Sequence, residues 1–168
     1  MKPLINPSQA MESCLEIHCG ADQGTGFLIT ENTILTAYHV IADYNEDQKI
    51  FIKTAEGPID CNVMNISIEL DLCLLTCDGL NLAPLPLEAS ILRLWEPCQI
   101  HGFPYRSSAS VLSLNGKINQ PVKDDASDFT INELDIDPNY DHDGLSGAPV
   151  IIEGKVAGIV RRQLDDRL

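Results

Sequence analysis

The sequence predicts an all-β fold, a sandwich or a pair of barrels, and three observations carry that expectation. Apolar residues come in short runs of about four to eight, bounded by turn residues. No stretch keeps a helical apolar period for long. The 11 glycines and 10 prolines are spread along all 168 residues, and no segment is of low complexity. Strands are expected near residues 13–19, 25–30 and 33–36, with Glu31-Asn32 forming a tight hairpin turn between the last two. Ala-Tyr-His-Val-Ile-Ala breaks the alternation and predicts a short helix over 37–42. Three more strands follow near 49–54, 59–66 and 72–76. Residues 79–96 hold Pro84 and Pro86 and abut Pro97; they read as a connector, because proline removes a ladder donor. Strands near 98–103, 109–118, 127–134, 148–152 and 155–161 complete the pattern, six before the connector and five after it.

Charge narrows the partners. Against 11 basic residues stand 25 acidic ones, a formal net charge of −14. Such a field repels nucleic acid and anionic membrane surfaces, so neither is expected as a partner. No apolar run approaches the roughly 20 residues of a spanning helix. The opening Met-Lys-Pro-Leu-Ile-Asn-Pro-Ser has no apolar stretch of the secretory kind, which predicts a cytoplasmic protein. There the six cysteines (14, 19, 61, 73, 77 and 98) are expected as free thiols serving as small buried hydrophobes.

Three segments carry chemistry. Ile34-Leu35-Thr36-Ala37-Tyr38-His39-Val40 sets a histidine on a short turn after a buried strand. Leu70-Asp71-Leu72-Cys73-Leu74-Leu75 opens an apolar strand with a carboxylate, which is expensive there unless it meets a donor. Asp143-Gly144-Leu145-Ser146-Gly147-Ala148 places a serine between glycines, where the chain can turn tightly and expose the hydroxyl. A serine becomes nucleophilic only when a base takes its proton. His39 is the candidate base and Asp71 the group that fixes its tautomer, a role worth about 10⁴-fold in kcat in such triads. The amides of Gly144 and Ser146 are candidates to hold an oxyanion. Taken singly, each residue has a bland explanation: a structural histidine, a strand-edge carboxylate, a turn. Together, in the order His, Asp, Ser, they favour a triad.

These segments resemble the trypsin-like (chymotrypsin-fold) serine proteases in their compact bacterial form. The resemblance runs over Gly24-Thr25-Gly26-Phe27-Leu28-Ile29, the histidine and aspartate segments, Gly102-Phe103-Pro104, Gly144-Leu145-Ser146-Gly147-Ala148-Pro149-Val150 and Val156-Ala157-Gly158-Ile159-Val160. It implies two packed six-stranded antiparallel β-barrels, residues 1–85 and 97–168, joined by a connector at 86–96. Residues 1–168 then form one protease domain, with His39 and Asp71 on the first barrel and Ser146 on the second. The ending at Leu168 leaves no room for a sixth strand in the second barrel. Either that barrel is trimmed or, the favoured expectation, the chain is cut from a longer polypeptide with regulatory domains. In that form the chain resembles the N-terminal effector modules of larger bacterial sensor or defence proteins.

The resemblance implies a serine endopeptidase acting on polypeptides through an acyl-enzyme, with no cofactor and no metal. It also places residues 135–143 at the primary specificity pocket and Val160 and Arg161 at the start of a substrate-binding strand. Asp141 or Asp143 could then receive a basic P1 side chain, while Tyr140 could instead occupy the pocket floor. The pattern departs in places. Leu145 precedes the serine where animal digestive members have Asp, Ala148 replaces a glycine, and Arg161-Arg162 stands where a small residue commonly supports the buried Asp. A calcium loop from Asp135 fails at Tyr140, where Gly is needed, and at Ser146, where Glu is needed. His18 and His101 are expected to be structural and His142 to lie at the cleft rim. The rival expectation is a catalytically silent or latent binding module of the same fold, activated by a partner domain.

Overall fold

Short runs of Ile, Leu and Val, cut by Gly, Pro and Asn, favour strands over helices. The computed structural model describes residues 6–89, 92–105, 111–122, 125–132, 135 and 143–161. Six strands form the first half: β1 (Cys14–Cys19), β2 (Asp22–Leu28), β3 (Thr33–Ala37), β4 (Ile50–Thr54), β5 (Gly57–Ser67) and β6 (Leu72–Thr76). They close into an antiparallel barrel in the order β1-β2-β3-β6-β5-β4. Its interior is filled by Ile17, Leu28, Ile34, Ile50, Ile52 and Leu75, all without solvent exposure. Each such side chain contributes about 1.5–3 kcal/mol by leaving water.

The second half holds β7 (Pro97–Gly102), β8 (Leu112–Val122), β9 (Asp125–Asn132), β10 (Pro149–Ile152) and β11 (Lys155–Ile159). These make a five-stranded sheet, β11-β10-β7-β8-β9, curled into an open half-barrel around Ile100, Leu114, Ile118, Val150 and Ile152. The expected double barrel with a short second half is the fold found. A third cluster sits between the halves, where Phe27 of β2 packs with Leu85, Ile151 of β10 and Val156 of β11. Between β6 and β7 the described residues form no strand. Instead, Leu87 makes one parallel bridge to Val156, with Val156 N–H donating to the Pro86 carbonyl at 2.9 Å. The connector thereby covers part of the outer edge of β11.

Two local expectations need adjusting. The β2–β3 connection is wider than a Glu31-Asn32 turn: Ile29 N–H donates to Thr33 O at 2.9 Å, and Thr30 Oγ1 accepts Thr33 N–H at 3.1 Å. A helix, α1 (Pro7–Glu12), precedes β1 without having been expected. Asn6 caps it by accepting Gln9 N–H at 3.0 Å, and Pro7 opens it where a missing N–H costs nothing. The short helix expected over 37–42 is present as a 3-10 helix, Tyr38–Ile41.

Candidate active site at the barrel seam

His39 is mounted where β3 ends. The 3-10 turn drives Val40 and Ile41 into the barrel and leaves the imidazole 44% exposed. β3 and β6 are antiparallel neighbours with Ala37 opposite Leu72, so the residues just off the ladder, Tyr38 and Asp71, also meet. Tyr38 N–H donates to the Asp71 carbonyl at 3.0 Å. Asp71 has φ +54°, a left-handed conformation that Asp tolerates better than most side chains. That twist aims its carboxylate back at the histidine. His39 N–H donates to Oδ1 at 2.9 Å, and His39 Nδ1 lies 2.7 Å from Oδ2. With Nδ1 donating, the neutral ring presents Nε2 as an acceptor.

Ser146 lies on the loop from Asp143 to Ala148 that enters β10. Gly144 and Gly147 bend it with φ +97° and +85°. At Gly147 a Cβ would fall 2.1 Å from the Thr25 carbonyl and 2.9 Å from the Ala37 amide, so only glycine fits against the first barrel. Thr25 organises the contact. Its N–H donates to Ser146 O at 2.8 Å, and its Oγ1 donates to Gly144 O at 2.8 Å while accepting Phe103 N–H at 2.9 Å. Thr36 Oγ1 in turn donates to Thr25 O at 2.8 Å. The loop bearing the serine therefore rests on main chain two residues ahead of His39. Among the described residues the Gly144 and Ser146 amides have no acceptor, the condition an oxyanion hole requires.

The structure brings His39 and Asp71 into direct contact. Ser146 stands beside them, but its hydroxyl donates to the Arg161 carbonyl at 3.4 Å, and among the described residues no hydrogen bond joins it to His39. Both Val160 main-chain groups bond the serine loop, N–H to Ala148 O at 2.9 Å and O from Gly147 N–H at 2.8 Å. Asp143 is exposed at the head of that loop, and its carbonyl accepts Tyr105 N–H. Tyr140, Asp141 and His142 lie outside the described residues. His18 stacks on Phe51 with centroids 5.1 Å apart and bonds Glu16 at 2.9 Å, away from the seam chemistry. Among the described residues no cluster of His, Cys, Asp and Glu is arranged to hold a metal ion. The sequence reading missed two features. One is the bridging role of Thr25, for which a lone polar residue between two glycines was the available signal. The other is an ion pair from Arg161 Nε to Asp71 Oδ2 at 3.6 Å.

Two β-barrels that meet along a seam, each lending loops to it, define the chymotrypsin-like double-barrel class. A family model described as trypsin-like peptidase domain matches residues 24–159, and the chain belongs to that family of proteases. Among solved structures it is similar to the active form of the Rv3671c protease from M. tuberculosis, with a TM-score of 0.76 and 20% identity over 99% of this chain and 82% of that one. It is also similar to Deg5, with a TM-score of 0.72 and 21% identity over 92% and 81% of the two chains. A serine endoprotease from Yersinia pestis gives a TM-score of 0.71 and 19% identity over 98% and 60%. These identities speak for the fold alone. No curated protein sequence matches the chain.

Proposed function

We propose that this protease is a serine endopeptidase whose triad is His39, Asp71 and Ser146. The observation that carries the reading is the two-point grip of Asp71 on His39, 2.7 Å at Nδ1 and 2.9 Å at the main-chain amide. It fixes one tautomer and leaves Nε2 as the base. In the first step the Ser146 hydroxyl turns from Arg161 O and gives its proton to His39 Nε2. Its oxygen bonds the peptide carbonyl carbon, whose π electrons move onto oxygen between the Gly144 and Ser146 amides. The intermediate then collapses, the C–N bond breaks, and His39 protonates the leaving amine. Water repeats the sequence on the ester, releasing acid and free serine.

The exposed carboxylate of Asp143 at the head of the loop supports a preference for basic P1 residues. Six free, buried cysteines support a reducing, cytoplasmic setting. Burial pushes the Cys14 thiol up to about 12 and those of Cys73 and Cys98 to about 11, so they pack as hydrophobes and offer no thiolate. Regulatory domains in the same polypeptide would fit a module of this size. The test is labelling with a fluorophosphonate probe. The protein is expected to label, and Ser146→Ala to lose both labelling and peptide hydrolysis; equal labelling of the variant would end the reading.

A further inference from the structure

Two cysteines of the first barrel face each other across a ladder. β5 and β6 pair antiparallel with Asn62 opposite Thr76, so the next position outward sets Cys61 opposite Cys77. Cys77 N–H turns away from β5 and donates to Asn32 O at 3.0 Å. The two cysteines are therefore a pair that no ladder hydrogen bond joins, the kind that brings Cα atoms to about 4.5 Å and side chains closest. Disulfides span roughly 4.4–6.8 Å between Cα atoms, so this spacing calls for no backbone movement. Both thiols lie in the barrel core and share a side-chain hydrogen bond. Their remaining contacts, to Ile59 O and Asp78 O, are long at 3.8 Å each. None of the other four cysteines stands opposite a cysteine among the described residues. Cys14 faces Phe27, Cys73 faces Ile66 and Thr36, and Cys98 faces Gly116. Cys19 and Cys61 flank Ile50 from either side, two strand spacings or about 9.5 Å apart, beyond disulfide reach.

We propose that Cys61 and Cys77 are a redox-sensitive staple: a hydroperoxide closes them to a disulfide that ties the base of the β5–β6 hairpin, whose tip carries Asp71. That hairpin is lightly held, since Met64, Ile66, Ile68 and Leu70 along it are all exposed and bury little apolar surface. Burial raises the pKa of both thiols, and their contact raises Cys61 further while opposing the rise at Cys77. Cys77 is thus the sulfur that gives up its proton first. Its neighbours Asn32 and Asp78 line an open hollow that brings solvent to this end of the barrel. There the Cys77 thiolate attacks one peroxide oxygen, the O–O bond breaks, and Cys77 sulfenic acid forms as the other oxygen leaves as water or alcohol. The Cys61 sulfur then attacks the Cys77 sulfur, the S–O bond breaks, and water leaves with the Cys61 proton. Two thiols have lost two electrons and two protons, and the hydroperoxide has been reduced. A thiol reductant reverses the bond. The staple does not depend on which residues catalyse.

The experiment treats the reduced full chain with hydrogen peroxide and follows thiols, linkage and melting. Two of the six cysteines are expected to become inaccessible to alkylation in the denatured protein, and to return with dithiothreitol. Cleavage after glutamate separates residues 57–69 from 70–88, so the bond is expected to hold these two peptides together. Cys73 shares the second peptide, and a Cys73→Ala protein is expected to form the same link. Fifteen residues, 62–76, lie between the bonded pair, so Tm is expected to rise by about 8 °C on oxidation. Cys61→Ala and Cys77→Ala are each expected to abolish both the link and the rise. Either substitution can lower the starting Tm, so the quantity compared is oxidised minus reduced Tm within each protein. A bond between any other two cysteines, oxygen added to the cysteines with no bond formed, or a Cys61–Cys77 bond that leaves Tm unmoved overturns the inference.

Discussion

Asp71 shows how much one residue must reconcile. It turns the chain with φ +54°, offers its carbonyl to Tyr38 and directs both carboxylate oxygens at His39. The contact of His39 with Asp71 was legible in the sequence, because a carboxylate opening an apolar strand needs a donor, and Ser146 stands out there for its place between glycines. Arg161 was legible only as an oddity, since its pairing with Asp71 is created by the seam and leaves no trace in either neighbourhood. His101 on β7 poses a different problem. It is fully buried, and neither ring nitrogen has a hydrogen-bond partner among the described residues. Burial lowers its pKa from the usual 6.5, keeping the folded ring neutral. As the pH falls through about 6.5 the unfolded chain takes up a proton that the folded one refuses. The contribution is therefore harmless above that pH and destabilising below it, by at most about 1.4 kcal/mol per pH unit. His101→Leu is expected to flatten the fall in stability between pH 7 and 5. Urea midpoints at both pH values check this, and an unchanged slope would contradict it.

At the level of elements, alternation located most strands well. β1, β4 and β6 lie within a residue of expectation, because their inward positions carry Ile, Leu or Cys in turn. β5 runs further than expected at both ends and β8 at its C-terminal end. β5 begins at Gly57-Pro58, two residues before the expected strand, and β8 continues past Pro121, where the ladder to β9 shifts register. α1 was invisible to periodicity because six residues complete fewer than two turns; only Asn6-Pro7 announces it. β2 carries the clearest energetic prediction. Thr25→Val keeps the shape but strips the hydroxyl that serves Gly144 O and Phe103 N. Leaving these buried groups unpaired costs about 2 kcal/mol, a Tm fall of roughly 6 °C for a domain of this size. Thermal melts and peptide hydrolysis are expected to fall together, as the serine loop loses its seat. A melt unchanged from wild type would show that water replaces the hydroxyl.

For the whole molecule, the count of six strands and then five was readable from the spacing of turns, and so was the all-β class. Closure was not, because pairing β4 with β1 is a long-range event that no local pattern encodes. The unequal finish was readable, from five strands after the connector against six before it; among the described residues the second sheet ends at β9 and β11. The unequal halves share one working part. The carbonyl of Thr25 lies so close to Gly147 that each half serves as the mould in which the other half's machinery is cast. A nick introduced between residues 88 and 96 is therefore expected to leave hydrolysis intact while the pieces stay associated. Hydrolysis should be extinguished when mild denaturant parts them and return on remixing, with a rate that depends on the concentration of both. A lone piece that cut peptides would show that the mould is dispensable.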